Sequence, residues 1–96
     1  MGKSVRRRNA RHFGPMNISE ALEGPGAYVL LNRSRQVQYV GSSSNLRRRL
    51  MEHLRQRDVP DSRYFRIYRT RSTSEARRLE RQLYRRYKPP YNDKEP

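Results

Sequence analysis

Two tyrosines, an arginine, a histidine and a glutamate stand at spacings that could bring phenol, guanidinium, imidazole and carboxylate into one site. Tyr28 and Tyr39 lie in short apolar runs, 27–31 and 36–40, on either side of Asn32-Arg33-Ser34-Arg35. Arg49 and His53 each come three residues after a leucine, Leu46 and Leu50, so a helix would carry both along the edge of its apolar stripe. Glu80 follows Leu79 in a stretch otherwise rich in arginine: Arg77, Arg78, Arg81, Arg85 and Arg86. Imidazole and a perturbed phenol move protons, and arginine meets developing negative charge. A single carboxylate with waters and a substrate phosphate suits Mg²⁺. Singly, each residue has a plainer account: tyrosines that pack, an arginine in solvent, a glutamate paired with Arg77 or Tyr84 at little gain in stability. The chemical reading rests on the set.

Other chemistries are poorly served. Two-metal hydrolysis needs several carboxylates around ions roughly 3.5–4 Å apart. Glu75 is expected to cap a helix, and Asp58, Asp61, Asp93 and Glu95 fall in loops or the tail. Phosphodiester cleavage by this chain would therefore use one metal. Cysteine is absent, and with only His12 and His53 there is no zinc cluster. A Walker loop, a serine–histidine–aspartate set and a nucleotide-binding glycine fingerprint are also missing.

Composition points to a polyanionic partner. Lys+Arg 23 less Asp+Glu 9 gives +14 over 96 residues, and nucleic acid is the usual target of so basic a chain. All but Lys3, Lys88 and Lys94 of the basic residues are arginine, which binds phosphate bidentately and stacks on bases. A G+C-rich genome would also favour arginine. No apolar run approaches a membrane span or a signal-peptide core, so a soluble, cytoplasmic protein is expected, nucleoid-associated if bacterial.

The elements that would hold these residues follow from periodicity and punctuation. Residues 1–12 read as a flexible basic arm, 13–92 as one domain and 93–96 as a tail. A short helix is expected around Ile18–Leu22, with Asn17 as cap, Glu20 in the first turn, and Phe13, Met16, Ile18 and Leu22 on the core edge. Gly26 then opens a hairpin that Gly41 closes. A two- or four-residue turn centred between Arg33 and Ser34 would set Tyr28 directly opposite Tyr39. Ser42-Ser43-Ser44 is expected to cap a helix over about 44–57 and leave amides free for a phosphate. In a third strand, Tyr64 to Thr70, Phe65 and Ile67 would face one way and Tyr64, Arg66 and Tyr68 the other. Ser72 and Glu75 form a capping box before a helix over 73–87, with Ala76, Leu79, Leu83 and Tyr87 inward, ended by Lys88-Pro-Pro. The fold expected is α+β: a three-stranded, mainly antiparallel sheet flanked by helices, in ββαβα order with a short leading helix.

At these positions the chain resembles the GIY-YIG nucleases. The resemblance is carried by Gly26-Ala27-Tyr28, Tyr39-Val40-Gly41, Asn45-Leu46-x-x-Arg49-Leu50-x-x-His53, Glu75-Ala76-x-x-Leu79-Glu80, and Asn92 twelve residues later. It covers about 24–92 and implies hydrolysis of DNA phosphodiesters with one Mg²⁺ or Mn²⁺, in DNA repair or a mobile element. By that resemblance Glu80 holds the metal and Tyr28 and Tyr39 are the motif tyrosines, one of which helps deprotonate the attacking water. Arg49 stabilises phosphorane or leaving-group charge, His53 serves as base or proton relay, and Asn92 organises the site. His53 and Tyr39 remain equal candidates for the base. Ala27 and Val40 replace isoleucines conservatively, whereas Ser42 stands where excision-repair members carry lysine, which points away from that subgroup. Arg47, Arg48, Arg77, Arg85, Lys88 and Ser42 are the expected nucleic-acid contacts, on backbone phosphates without reading sequence. A stand-alone, nicking or structure-selective enzyme is expected, monomer or weak homodimer, acting on DNA with RNA also possible. The rivals are a non-catalytic nucleic-acid-binding module and a ribosome-associated basic protein.

Overall fold

The computed structural model describes residues 10–21 and 23–92. Most of the expected arm, Leu22 and the tail lie outside the described residues. The elements are β1 (Arg11–His12), α1 (Pro15–Ser19), β2 (Gly26–Leu31), β3 (Val37–Ser43), α2 (Leu46–Gln56), β4 (Tyr64–Arg69) and α3 (Thr73–Tyr87). The strands form one antiparallel sheet in the order β1-β4-β2-β3. The three expected strands are present, and the fourth is an addition: Arg11 and His12 pair with Phe65 and Tyr64. Two polar residues carry no periodicity, so a strand this short leaves no pattern in the sequence.

Strand β2 lies inside the sheet and is buried along its whole length. Its residues alternate between two cores. Tyr28 and Leu30 join Ile18, Leu46, Leu50, Val59 and Phe65, under α1 and α2. Ala27, Val29 and Leu31 join Val40 and Leu83, under α3. A near-continuous apolar run is what a strand covered on both faces requires. In β4, Ile67 packs with the first core and Tyr64 and Tyr68 with the second, the division that alternation predicts.

The helix ends show what punctuation does and does not reveal. Helix α3 has the expected bounds: the Ser72 hydroxyl accepts from the Glu75 amide at 3.1 Å, while the Glu75 carboxylate takes the Arg71 amide rather than that of Ser72. Helix α2 is capped by Asn45, whose Oδ1 accepts from the Arg48 amide at 3.1 Å, and not by the serine run. Two of those serines belong to β3, which runs on past Gly41 to Ser43. Helix α1 starts earlier than expected because Pro15 is pre-set for a first helical position. Asn17 is therefore inside it, donating to the His12 carbonyl, and Glu20 is at its C-terminal end. Ile18 and Phe13 pack on the core, but Met16 is 77% exposed and Ala21 is buried instead.

Candidate active site

The hairpin decides where the two phenols go. The Asn32 amide bonds the Gln36 carbonyl, Asn32 Oδ1 accepts from the Ser34 and Gln36 amides, and Arg35 takes a left-handed φ of 65°. That loop holds one residue more than a symmetric turn. Gln38 is a second extra residue, because Leu31 pairs with Val37 but Leu30 with Tyr39. Tyr28 therefore lies opposite Gly41, not opposite Tyr39 as the symmetric turn would have it. One extra residue would have reversed the face, and two restore it. The rings remain on one side of the sheet as diagonal neighbours, centroids 6.3 Å apart. Gly41 is required by this register, since a Cβ there would overlap Cζ and Oη of Tyr28.

Helix α2 brings Arg49 and His53, one turn apart, over the same face. His53 is buried, with its ring edge-on to both phenols at centroid distances of 5.5 and 5.1 Å. Its Nε2 lies 2.7 Å from the Tyr28 hydroxyl and its Nδ1 2.8 Å from Asp58 Oδ1. A carboxylate only accepts, so Nδ1 carries the hydrogen and Tyr28 donates to Nε2. Burial, seconded by Arg49 and opposed by Asp58, holds the His53 pKa below its ordinary value. Burial pushes the Tyr28 phenol well above its usual range, aided by Tyr39, with Arg49 opposing. Tyr39 is also raised by burial, again against Arg49. Arg49 Nη1 donates to Glu52 Oε1 at 3.0 Å.

Glu80 arrives from the opposite layer. Ser42 Oγ, on β3, donates to Glu80 Oε1 at 2.5 Å, so the acid is tied to the strand rather than paired with Arg77 or Tyr84. Burial raises the Glu80 pKa, opposed by Ser42 and then by Arg81 and Arg77. Its charge reaches both phenols and raises them. The two layers thus meet at β3. Asn92 closes this strand from outside: its Oδ1 accepts from the Val40 amide at 2.9 Å and its Nδ2 donates to the Val40 carbonyl at 3.0 Å. The Tyr91 amide bonds the carbonyl of the bulged Gln38. The chain after α3 therefore acts as a two-residue substitute for a fifth strand.

The expected phosphate contacts divide. Arg48, Arg77 and Lys88 are exposed, and Arg85 is exposed but has a partner of its own. Arg47 is engaged within the domain, donating to the Ala21 carbonyl at 3.0 Å and to Glu23 at 2.9 Å, and Ser42 is engaged with Glu80. The residue that sequence reading passes over is Asp58. It sits in a loop five residues after His53, and only the left-handed Arg57 that ends α2 turns it back onto the imidazole.

Among the described residues no group of three or more histidines, cysteines or acids could hold a metal ion. Glu80 fits the lesser demand of a cation bound mainly through water. It offers a hard oxygen, its burial disfavours an uncompensated charge, and Ser42 occupies only one of its two oxygens. No helix among the described residues is long and apolar enough to cross a membrane.

Comparison with known proteins gives the family and the fold. The family described as the UvrC-like GIY-YIG domain matches residues 24–93. The chain is 38% identical over 76 residues to UvrABC system protein C of Methylococcus capsulatus, covering 71% of this chain and 12% of that protein. It is 40% identical over 76 residues to the same protein of Sphingopyxis alaskensis, with the same coverage. The chain thus spans 12% of the length of these curated relatives. Among solved structures, it is similar to the N-terminal GIY-YIG endonuclease domain of UvrC from Thermotoga maritima bound to its catalytic divalent cation, magnesium. That match has a TM-score of 0.72 and 28% identity, over 80% of this chain and 92% of that one. A variant of the same domain with an asparagine changed to alanine matches with a TM-score of 0.73 and 26% identity, over 82% of this chain and 93% of that one. Ser42 therefore does not set the chain apart from the excision-repair subgroup, as its departure from lysine suggested. The chain belongs to the UvrC-like GIY-YIG family and is an endonuclease domain of that class.

Proposed function

We propose that this domain hydrolyses a DNA phosphodiester with one Mg²⁺ or Mn²⁺ held by Glu80, with Tyr28, Tyr39, Arg49 and His53 around the reacting phosphate. The observation that carries this is the meeting of Glu80, from one layer, with the phenol–imidazole–guanidinium cluster of the other across β3. Bound at Glu80, the cation would supply positive charge to the phosphate and acidify a bound water.

The residues divide the remaining work. Arg49, partly exposed and beside both phenols, meets the negative charge that develops on the phosphate. Tyr39 is the less buried phenol, so it is the one placed to meet water, while Tyr28 already donates its hydrogen to His53. His53 takes protons through Tyr28 rather than directly, because Nε2 is occupied by that hydroxyl. Asn92 holds the strand that carries Tyr39 and Ser42. Arg48, Arg77, Arg85 and Lys88 supply phosphate contacts that position DNA without reading its sequence. One site per chain cuts one strand, so the product is a nick, and a double-strand break needs a second copy or a second event. The family match supports a place in DNA repair inside the cell.

Supercoiled plasmid incubated with Mg²⁺ or Mn²⁺ tests the reading. Nicking by the wild type, lost in Glu80→Gln with the gel shift retained, is the expected result. Normal cutting by Glu80→Gln would remove the metal from Glu80. A gel shift without cutting by either protein would leave a binding module.

A further inference from the structure

We propose that Asp58 is a positioning residue that completes a Tyr28–His53–Asp58 relay, fixing the His53 tautomer and holding the imidazolium that forms when the buried end of the site takes up a proton. The inference rests on the nuclease reading for its purpose, but its geometry stands independently of metal and DNA.

The relay runs from inside to outside. Tyr28 is 1% exposed, and so is the His53 side chain, whereas the Asp58 side chain is 40% exposed. The hydroxyl-to-Nε2 and Nδ1-to-carboxylate distances, 2.7 and 2.8 Å, are those of made hydrogen bonds. A neutral imidazole bonded only through Nε2 would be free to put its hydrogen on that nitrogen and meet the Tyr28 oxygen as donor. The Asp58 carboxylate forbids this by requiring the hydrogen on Nδ1.

With the tautomer fixed, one proton step balances. The Tyr28 O–H bond breaks and an Nε2–H bond forms on His53, while the Tyr28 oxygen takes a proton from the attacking water of the proposed hydrolysis, which is left as hydroxide for the phosphate. Tyr28 ends as a phenol again, and His53 ends as an imidazolium with both nitrogens protonated. Its charge is held against the Asp58 carboxylate, and the proton returns through Nε2, which restores the Nδ1–H tautomer. The groups that face His53 are Tyr28 from β2, Tyr39 from β3, Arg49 and Glu52 from α2, and Asp58 from the following loop. Arg49 disfavours the imidazolium, and Asp58 and Glu52 favour it.

The test compares wild type, Asp58→Asn, Asp58→Ala and Asp58→Glu in two measurements. Imidazole ¹⁵N shifts of metal-free, DNA-free protein should show His53 as the Nδ1–H tautomer in wild type. They should show Nε2–H or a mixture in Asp58→Ala. Single-turnover nicking in Mg²⁺ should fall on the order of ten- to a hundredfold in Asp58→Asn, with DNA affinity changed less than about twofold. Its acid limb should move to lower pH, because a carboxylate that favours the imidazolium has been removed. Asp58→Glu should recover part of the rate, and a purely structural role would move neither the limb nor the tautomer. Unchanged ¹⁵N shifts in both Asp58→Ala and Asp58→Asn would overturn the proposal, as would a wild-type rate and limb in Asp58→Asn. Should Asp58→Ala not fold, Asp58→Glu and Asp58→Asn decide by the same criteria. If wild type itself does not cut DNA, the nuclease reading fails, while the ¹⁵N shifts still decide whether Asp58 sets the tautomer.

Discussion

Replacing Gly41 by alanine should damage fold and site together, because the residue opposite Gly41 is the buried phenol itself. The added methyl would overlap Cζ and Oη of Tyr28 and lie 2.9 Å from Cε1. Ordinary carbon contacts are about 3.5–4.0 Å, so the ring must retreat by about 1 Å. It has little room to do so: Tyr28, Leu46 and Leu50 are at most 1% exposed, and the hydroxyl is held 2.7 Å from His53. Overpacking of this kind costs about 1–3 kcal/mol. Losing the bond to His53 and leaving Nε2 without a partner adds about 1 kcal/mol or more. The sum, ~2–4 kcal/mol, is a large share of the ~5–15 kcal/mol that holds a domain folded. For a domain of this size it should lower Tm by roughly 8–30 °C. Differential scanning calorimetry reads this directly, with Gly14→Ala as comparison. At Gly14 a Cβ would meet nothing closer than His12 Nδ1 at 3.4 Å, and the cost should be about 1 kcal/mol or less, the loss of a favourable N-cap glycine. Plasmid nicking by Gly41→Ala should also fall at temperatures where it is still folded. A Gly41→Ala protein with wild-type Tm and wild-type nicking would refute the register and the close approach of Tyr28.

Three further outcomes follow from the site. Burial raises the Glu80 pKa, so its preference for the protonated acid stabilises the fold fully below the ordinary carboxylate value and is lost as pH rises through the folded one. Glu80→Gln should therefore leave the metal-free protein at least as stable as wild type at neutral pH. Added Mg²⁺ should raise Tm in wild type only, as ligand linkage requires; equal Tm shifts in both would place the metal elsewhere. His53 has the opposite sign: its folded pKa is depressed, so its contribution is complete above about pH 6.5 and is lost as pH falls toward the folded value. Urea midpoints should drop across that window in wild type and drop less in His53→Gln, and equal slopes would contradict the buried neutral imidazole. Asn92→Ala removes two hydrogen bonds to Val40 and should cost about 1–2 kcal/mol. The Val40 amide should then lose hydrogen-exchange protection while those of β2 keep theirs, and an unchanged Val40 rate would show that Asn92 does not clamp β3.

The fold was legible wherever a residue type speaks through its neighbours. Leu46 and Leu50 at helical spacing, the continuous Ala27–Leu31 run and the Ser72–Glu75 cap all signal local physics that tertiary structure preserves. The hairpin shows the limit. Nothing in Asn32-Arg33-Ser34-Arg35 announces a left-handed Arg35, and the partners of the Gln38 bulge and of Val40 beside it are Tyr91 and Asn92, more than fifty residues away. The two errors in register cancelled in face, which is why the phenols share a side despite the wrong pairing. Site residues on periodic elements, Arg49, His53 and Glu80, could be placed by counting. Asp58 could not, because it reaches His53 only through a helix end whose geometry depends on one non-glycine residue at positive φ. The contacts of Arg47 are hidden for a related reason: its partners, Ala21 and Glu23, lie more than twenty residues earlier.

The most direct test of a one-metal site is a crystal of the domain soaked in Mn²⁺ and measured for anomalous scattering. A single peak about 2.0–2.3 Å from one Glu80 oxygen, its remaining ligands water, is the predicted result. No peak at Glu80, or two ions roughly 3.5–4 Å apart, would contradict the account.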